Sequence, residues 1–366
     1  MLGFACSREA REGSTHAQIG ALRGGSGCAS DASCATGGEP EARPARDPPG
    51  MVYPRAVDRA ELIARIADIM SDWGVGERKA LEGQVVELLS DASDAEIAAA
   101  GQRLATTGQT WGYHAPDPVC RKLSRLAHRL VLLRGSGLEP SDALSRARRQ
   151  PVFFIANHLS YIDANVIDAL LVGAGFADVA DGLTVLAGPK VYAQPIRRLA
   201  SLCFGTIKMP QSQSTASGDA VMPRREVARL ALETLATVEA RRQKGEQLLV
   251  FVEGTRSRAA AMQRVLPAAA RYFEAPGTQI VPLGLWGTER LMRPEMEKVM
   301  PTEVHARAGR AVDAGELFER AGGKRPVVAD VLGYLIADLL PVEYRGEYGS
   351  AATAPSARDV ASSFAP

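Results

Sequence analysis

The stretch Pro151-Val152-Phe153-Phe154-Ile155-Ala156-Asn157-His158-Leu159-Ser160-Tyr161-Ile162-Asp163 decides how this chain folds. Residues 151–156 form a short apolar strand, and the pattern from Tyr161 to Val172 is helical. The same rhythm continues downstream. Leu183–Ala187 is predicted as a strand, Val191–Leu202 as a helix and Gly205–Met209 as a third strand. Gln211–Asp219 is a polar loop, Pro223–Lys244 a long helix, and Gln247–Val252 the clearest buried strand. Ala259–Phe273 is predicted helical, Gln279–Leu283 extended, Val304–Val312 an edge strand by its alternation, and Val327–Leu340 the final helix. Strands alternating with helices mean an α/β fold, with a mixed, mostly parallel sheet flanked by helices.

Upstream the pattern is purely helical. Leu62, Ile63, Ile66 and Ile69 form one stripe behind a capping Asp58; Leu81, Val85, Val86 and Leu89 form a second, and Ile97 and Leu104 belong to a third. These predict a small all-helical N-terminal domain over residues 55–112. Residues 1–54 are rich in Gly, Ala, Ser, Arg and Pro. They cannot bury enough apolar surface to offset their backbone entropy, so a disordered extension is expected, with Met51 as an alternative start. An α/β domain is expected over residues 118–346, and residues 347–366 are expected to be a loose C-terminal tail.

The 366 residues suggest two domains, or one large domain with an appendage. With 43 Lys+Arg against 42 Asp+Glu, the net charge is +1, which argues against nucleic acid as a partner. No stretch approaches the length of a membrane span, so contact with lipid must be peripheral. The five cysteines are scattered without a C-x-x-C pair, which fits reduced thiols in a cytoplasmic protein and no metal site. Residues 119–134 place Leu123, Leu126, Leu130 and Leu133 on one helical face and Arg121, Lys122, Arg125 and Arg129 largely elsewhere. Such a helix either lies on an anionic membrane surface or packs its leucines on the next domain.

Chemistry concentrates at two strand ends. His158 follows an apolar strand and opens a helix, the place where open α/β sheets bind ligands. Asp163 is near enough for a tight turn to bring its carboxylate to the imidazole, which would make His158 a general base. The second segment is Val252-Glu253-Gly254-Thr255-Arg256-Ser257-Arg258. Gly254 permits a close turn, and Arg256 offers a planar fork suited to phosphate, with Thr255 and Ser257 adding hydroxyls. Glu253 could brace Arg256, bind an acceptor hydroxyl or cap a turn.

Asn157-His158-x4-Asp163, Glu253-Gly254-Thr255-Arg256-Ser257 and Val281-Pro282, in this order, resemble the motifs of the glycerolipid acyltransferase family, which includes glycerol-3-phosphate and 1-acyl-glycerol-3-phosphate acyltransferases. The run Leu339-Leu340-Pro341-Val342-Glu343-Tyr344-Arg345-Gly346 resembles the end of that domain. The resemblance implies that His158 takes a proton from the acceptor hydroxyl and that Asp163 orients it. It implies that Glu253, Gly254, Thr255 and Arg256 shape the phosphoglycerol site, and that Val281 and Pro282 line the acyl or acceptor cleft. It further implies no bound cofactor or metal, with acyl-CoA or acyl-carrier protein as the acyl donor. The implied acceptor is a lysophospholipid, lysophosphatidate first, with glycerol 3-phosphate as the alternative. The expected location is cytoplasmic, peripheral on the inner face of the cell membrane.

The chain departs from the family pattern where a second-motif Arg would fall near Gln211; Lys208 is the nearest cation. Between Leu186 and Arg264 there are 13 Lys+Arg and 6 Asp+Glu, a local excess that suits an anionic ligand. Of these cations, Lys190, Lys208, Arg256 and Arg258 are the candidates for a site. A serine hydrolase would want Gly-x-Ser-x-Gly, and a dinucleotide-binding dehydrogenase Gly-x-Gly-x-x-Gly after a strand; neither is present. A non-catalytic lipid-binding relative is the remaining alternative.

Overall fold

Three capped helices lead the chain in the computed structural model, which describes residues 58–210, 222–292 and 298–364. In α1 (Arg59–Asp72) the Asp58 carboxylate accepts the Glu61 N–H. The Glu77 carboxylate does the same for α2 (Arg78–Leu88), and α3 (Asp94–Thr106) starts with a capping box between Ser93 and Glu96. The expected extension and the expected loop at 211–219 lie outside the described residues.

Then follow β1 (Gly112–His114), α4 (Pro118–Val131), β2 (Gly137–Glu139), α5 (Asp142–Ala147), β3 (Phe153–Ala156), α6 (Asp163–Gly173), α7 (Ala177–Asp181) and β4 (Leu183–Ala187). The next elements are α8 (Pro195–Ser201), β5 (Gly205–Lys208), α9 (Arg224–Gln243), β6 (Gln247–Phe251), β7 (Gln279–Trp286) and α10 (Thr288–Leu291). The described chain ends with β8 (His305–Ala308), β9 (Val312–Asp313), α11 (Ala314–Arg320), α12 (Arg325–Ala337) and α13 (Pro355–Ser362).

The sheet runs β1-β5-β4-β6-β3-β7-β8-β2, with β9 also pairing β7. The central strands β5, β4, β6, β3 and β7 are mutually parallel. β1 and β8 join antiparallel, and β2 pairs parallel with β8. The fold is the expected α/β class, a mixed and mostly parallel sheet flanked by helices. Successive β3 side chains point to opposite faces. Phe154 and Ala156 enter a core shared with α4 and α6, while Phe153 and Ile155 enter one shared with α12.

Four details differ from the sequence expectations. First, the helices at 59–106 do not close a core of their own. Leu62, Ile66, Leu81, Val85, Ile97 and Leu104 belong to the same apolar cluster as Leu123 of α4 and Leu199 of α8. Second, β8 is not an edge, because the three residues of β2 cover it; so short a strand carries no periodicity to detect. Third, Ala259–Phe273 forms a helix only as a 3-10 turn from Pro267 to Phe273.

Fourth, residues after 346 are packed rather than loose. Tyr348 is 3% exposed and stacks edge-on against Tyr334 at 5.1 Å. Its hydroxyl donates to Asp330 and accepts the Val265 N–H. Gly333 makes the room: a Cβ there would lie 2.2 Å from the Tyr348 ring. Ala357 and Ala361 are buried in the same cluster as α12, since small side chains let helices approach closely.

Helix α4 packs its first leucines inward, the second of its two sequence readings. Leu123 and Leu126 are buried, and Arg121, Lys122 and Arg125 pair with Asp181, Asp91 and Asp168. Only its far end, with Leu130 at 37% and Leu133 just beyond it at 47%, faces out. Among the described residues no helix is long and apolar enough to cross a membrane.

Candidate active site

The C-terminal end of β3 delivers Asn157 and His158, and that of β6 delivers the 253–257 turn. Asn157 is fully buried and bonds Leu285 in both directions, amide to carbonyl at 2.8 Å and Leu285 N–H to its oxygen at 2.8 Å. That pair locks the end of β3 to β7. His158 is then gripped through its backbone. Its N–H donates to Glu253 Oε1 at 2.7 Å, and its carbonyl accepts the Ser257 N–H at 2.7 Å.

The imidazole is fixed as well. Nδ1 lies 2.8 Å from Asp163 Oδ2, and its ring stacks on Phe251 with centres 4.3 Å apart. The same carboxylate oxygen accepts the N–H groups of Leu159 at 2.6 Å and Ser160 at 2.9 Å. Asp163 is buried at the start of α6, where a helix favours negative charge. An ionised carboxylate only accepts, so Nδ1 carries the proton and Nε2 keeps its lone pair. An imidazole held this way is able to take a proton from a hydroxyl.

Glu253 is 2% exposed and accepts a second N–H, from Gln263, at 2.7 Å. It holds turns together and does not brace Arg256. Burial pushes its carboxyl up to about 7. Gly254 adopts φ +70°, and a Cβ there would meet Leu266 at 2.3 Å. Thr255 is exposed, and its carbonyl accepts the Gln263 side chain at 3.3 Å. Arg256 lies over the Tyr161 ring at 3.5 Å, which brings a guanidinium to the His158 segment.

The other sequence candidates are elsewhere. Lys208 is on β5, three strands across from β3, roughly 14 Å away at the usual strand spacing. Its ammonium donates to the Gly108 carbonyl, sits 4.5 Å from the Trp111 ring centre, and is held below its ordinary value by burial. Val281 and Pro282 are buried within β7, paired with Phe154 and Ile155. They fall in the gap between β9, which pairs residues 279–280, and β8, which pairs 283–286. A missing N–H there costs no ladder bond, which explains the proline. Gln211 lies outside the described residues. Of the basic stretch, Arg229, Arg241, Arg242 and Arg264 pair with acidic side chains away from the dyad. Tyr161 and Phe251 carry no motif signal, because stacking acts through space. Among the described residues no group of His, Cys, Asp and Glu could hold a metal ion.

A family model described as acyltransferase matches residues 139–286, from β2 through β7, enclosing both strand ends. The chain carries an acyltransferase domain. Its dyad and Arg256 lie inside that match. The chain is also similar to the crystal structure of the 1-acyl-sn-glycerophosphate (LPA) acyltransferase PlsC from Thermotoga maritima, at 16% identity and TM-score 0.38, over 77% of this chain and 97% of that one. No curated protein matches the chain.

Proposed function

We propose that this acyltransferase moves a fatty acyl group from an acyl thioester to the free hydroxyl of 1-acyl-sn-glycerol 3-phosphate in phospholipid synthesis. The observation that carries the reading is the His158–Asp163 contact at 2.8 Å beside Arg256, which makes no hydrogen bond or ion pair with any described residue. In this mechanism His158 Nε2 takes the hydroxyl proton as the oxygen attacks the thioester carbonyl. The C–S bond breaks as the tetrahedral intermediate collapses, and the imidazolium returns the proton to the departing thiolate. Asp163 steadies the imidazolium, and Arg256 receives the acceptor's phosphate.

Peripheral contact with an anionic bilayer belongs to the same reading. β7 and β8 place Trp286 opposite His305, and β8 and β2 place His305 opposite Gly137. This is the edge of the sheet at which β3 ends. Segments entering there are joined by bonds of Leu133 and Val131 to Thr302. They carry the exposed Leu130, Leu133 and Met300, with exposed Arg129, Arg134 and Lys298 around them. Apolar side chains ringed by cations complement an anionic lipid surface.

The test is acyl transfer from radiolabelled long-chain acyl-CoA, and in parallel from an acyl-carrier protein, to glycerol 3-phosphate and to 1-acyl-glycerol 3-phosphate. Product with the lysolipid is expected, and His158→Ala should lower kcat by about a hundredfold or more. Near-normal turnover in a folded His158→Ala protein would sink the mechanism; product with glycerol 3-phosphate alone would replace the acceptor.

A further inference from the structure

Tyr161 stands inside the turn that makes the dyad, three residues after His158 and two before Asp163. Its backbone is pinned on both sides. Ser160 is fully buried and its N–H donates to the Asp163 carboxylate at 2.9 Å, and Ile162 is 3% exposed. The Tyr161 ring packs against the apolar cluster that α4 and α6 share. The guanidinium carbon of Arg197 lies 3.9 Å from the ring centre, and an Nη1 bond to the Lys190 carbonyl at 3.2 Å ties that arginine to its own segment. A ring packed and flanked in this way has little freedom to turn.

The guanidinium carbon of Arg256 is 3.5 Å from the same ring centre. Two such carbons cannot share one face that closely, so Arg256 has a face to itself. The separation is van der Waals contact, which a planar guanidinium reaches only by lying flat on the ring. Flat stacking engages the π face of the fork and none of its N–H groups. These point past the rim of the ring, and none of them meets an acceptor among the described residues. Arg229, Arg241, Arg242 and Arg264 of the same basic stretch are held differently, by carboxylates that occupy their donors. Arg256 is held by a ring, which occupies none.

We propose that Tyr161 is the positioning residue for Arg256: its ring fixes the guanidinium while leaving the N–H fork to the acceptor's phosphate. An unsupported arginine side chain loses its rotamer freedom only when the ligand binds; stacked on the ring, it has lost much of that freedom beforehand. The Asp163 carboxylate holds both the imidazole and the Ser160 N–H beside Tyr161. One turn therefore fixes His158 directly and the phosphate fork through the ring, and it sets the span between the phosphate and the attacked hydroxyl. The inference rests on the phosphorylated-acceptor reading given above.

The experiment uses the full chain, acyl-CoA as donor, and 1-acyl-glycerol 3-phosphate and 1-acylglycerol as acceptors. Tyr161→Leu should raise KM for the phosphorylated acceptor about fivefold, the worth of a stacked cation. kcat should fall by a smaller factor, and KM for acyl-CoA should hold. Tyr161→Phe keeps the ring face and should recover most of the loss. Fluorinated phenylalanines at position 161 keep the shape of the ring while draining its π face, so they separate stacking from packing. Acceptor KM should climb with each added fluorine, and Tm should not follow it. In an Arg256→Gln background none of these changes should move acceptor KM further. An unchanged acceptor KM in a folded Tyr161→Leu protein would overturn the assignment. A flat fluorine series would overturn it too, as would effects that simply add to that of Arg256→Gln. Wild-type protein that uses both acceptors equally, and matches Arg256→Gln in doing so, would instead remove the phosphorylated-acceptor reading.

Discussion

His158 is held at its amide, its carbonyl and its ring, and the residue holding the amide is itself unusual. Glu253 is buried, and its carboxyl titrates near 7, raised from an ordinary value near 4.5 by burial. The folded protein thus keeps a proton that the unfolded chain releases. Stability from this group is fully present below pH 4.5 and is lost as pH rises through about 7, a swing of about 3 kcal/mol. Urea unfolding of wild type and Glu253→Gln at pH 5 and pH 8 should show it: the wild type loses stability relative to the variant at the higher pH. A difference independent of pH would rule the effect out. At this scale the sequence was legible wherever chemistry is written contiguously. His158 and Asp163 sit five residues apart, and Arg256 lies in an uninterrupted turn. The contact of Arg256 with Tyr161 was not legible, because the two lie 95 residues apart and stacking leaves no spacing to find.

Among elements, β3, β6 and β7 were legible because burial on both faces makes a strand a continuous apolar run. β1 and β2, three residues each, were not. Helix α4 shows how a single pattern can serve two surfaces: its first turns bury leucines and pair their cations, and its last turn exposes both kinds of side chain. The strongest of these pairs is Arg125 with Asp168, bidentate at 2.8 and 2.9 Å, with the Asp168 side chain 1% exposed. Arg125→Ala would leave that carboxylate buried without its counter-ion. A loss of about 3 kcal/mol or more in denaturant unfolding is expected; a change under about 1 kcal/mol, the usual worth of an exposed pair, would mean that water already reaches Asp168.

For the whole molecule, the helices at 59–106, α4 and the sheet share one apolar cluster, so the boundary that sequence pattern draws near residue 112 is not a boundary of packing. The sequence could not show this, because an amphipathic stripe says that a face is covered and not by what. The same layering puts the Leu130–Leu133–Met300 ridge and the dyad at one edge. Leu130→Glu with Leu133→Glu should reduce co-sedimentation with vesicles containing anionic lipid while leaving turnover of a water-soluble acceptor intact. Undiminished vesicle binding would move the contact to another surface.

Tyr344 and Glu347 bond Met262, whose neighbour Gln263 bonds Glu253, which bonds the His158 amide. Gly346 sits against Met262 so closely that a Cβ would lie 2.1 Å from its carbonyl oxygen. His158 is thus steadied by a segment that leaves the ribosome about ninety residues after the turn it braces. During synthesis His158, Asp163 and the 253–257 turn are all made before the strap that fixes them has been translated. The nascent chain therefore carries the His158 and Glu253 segments for a time in an unbraced form, until residues 344–347 have been made.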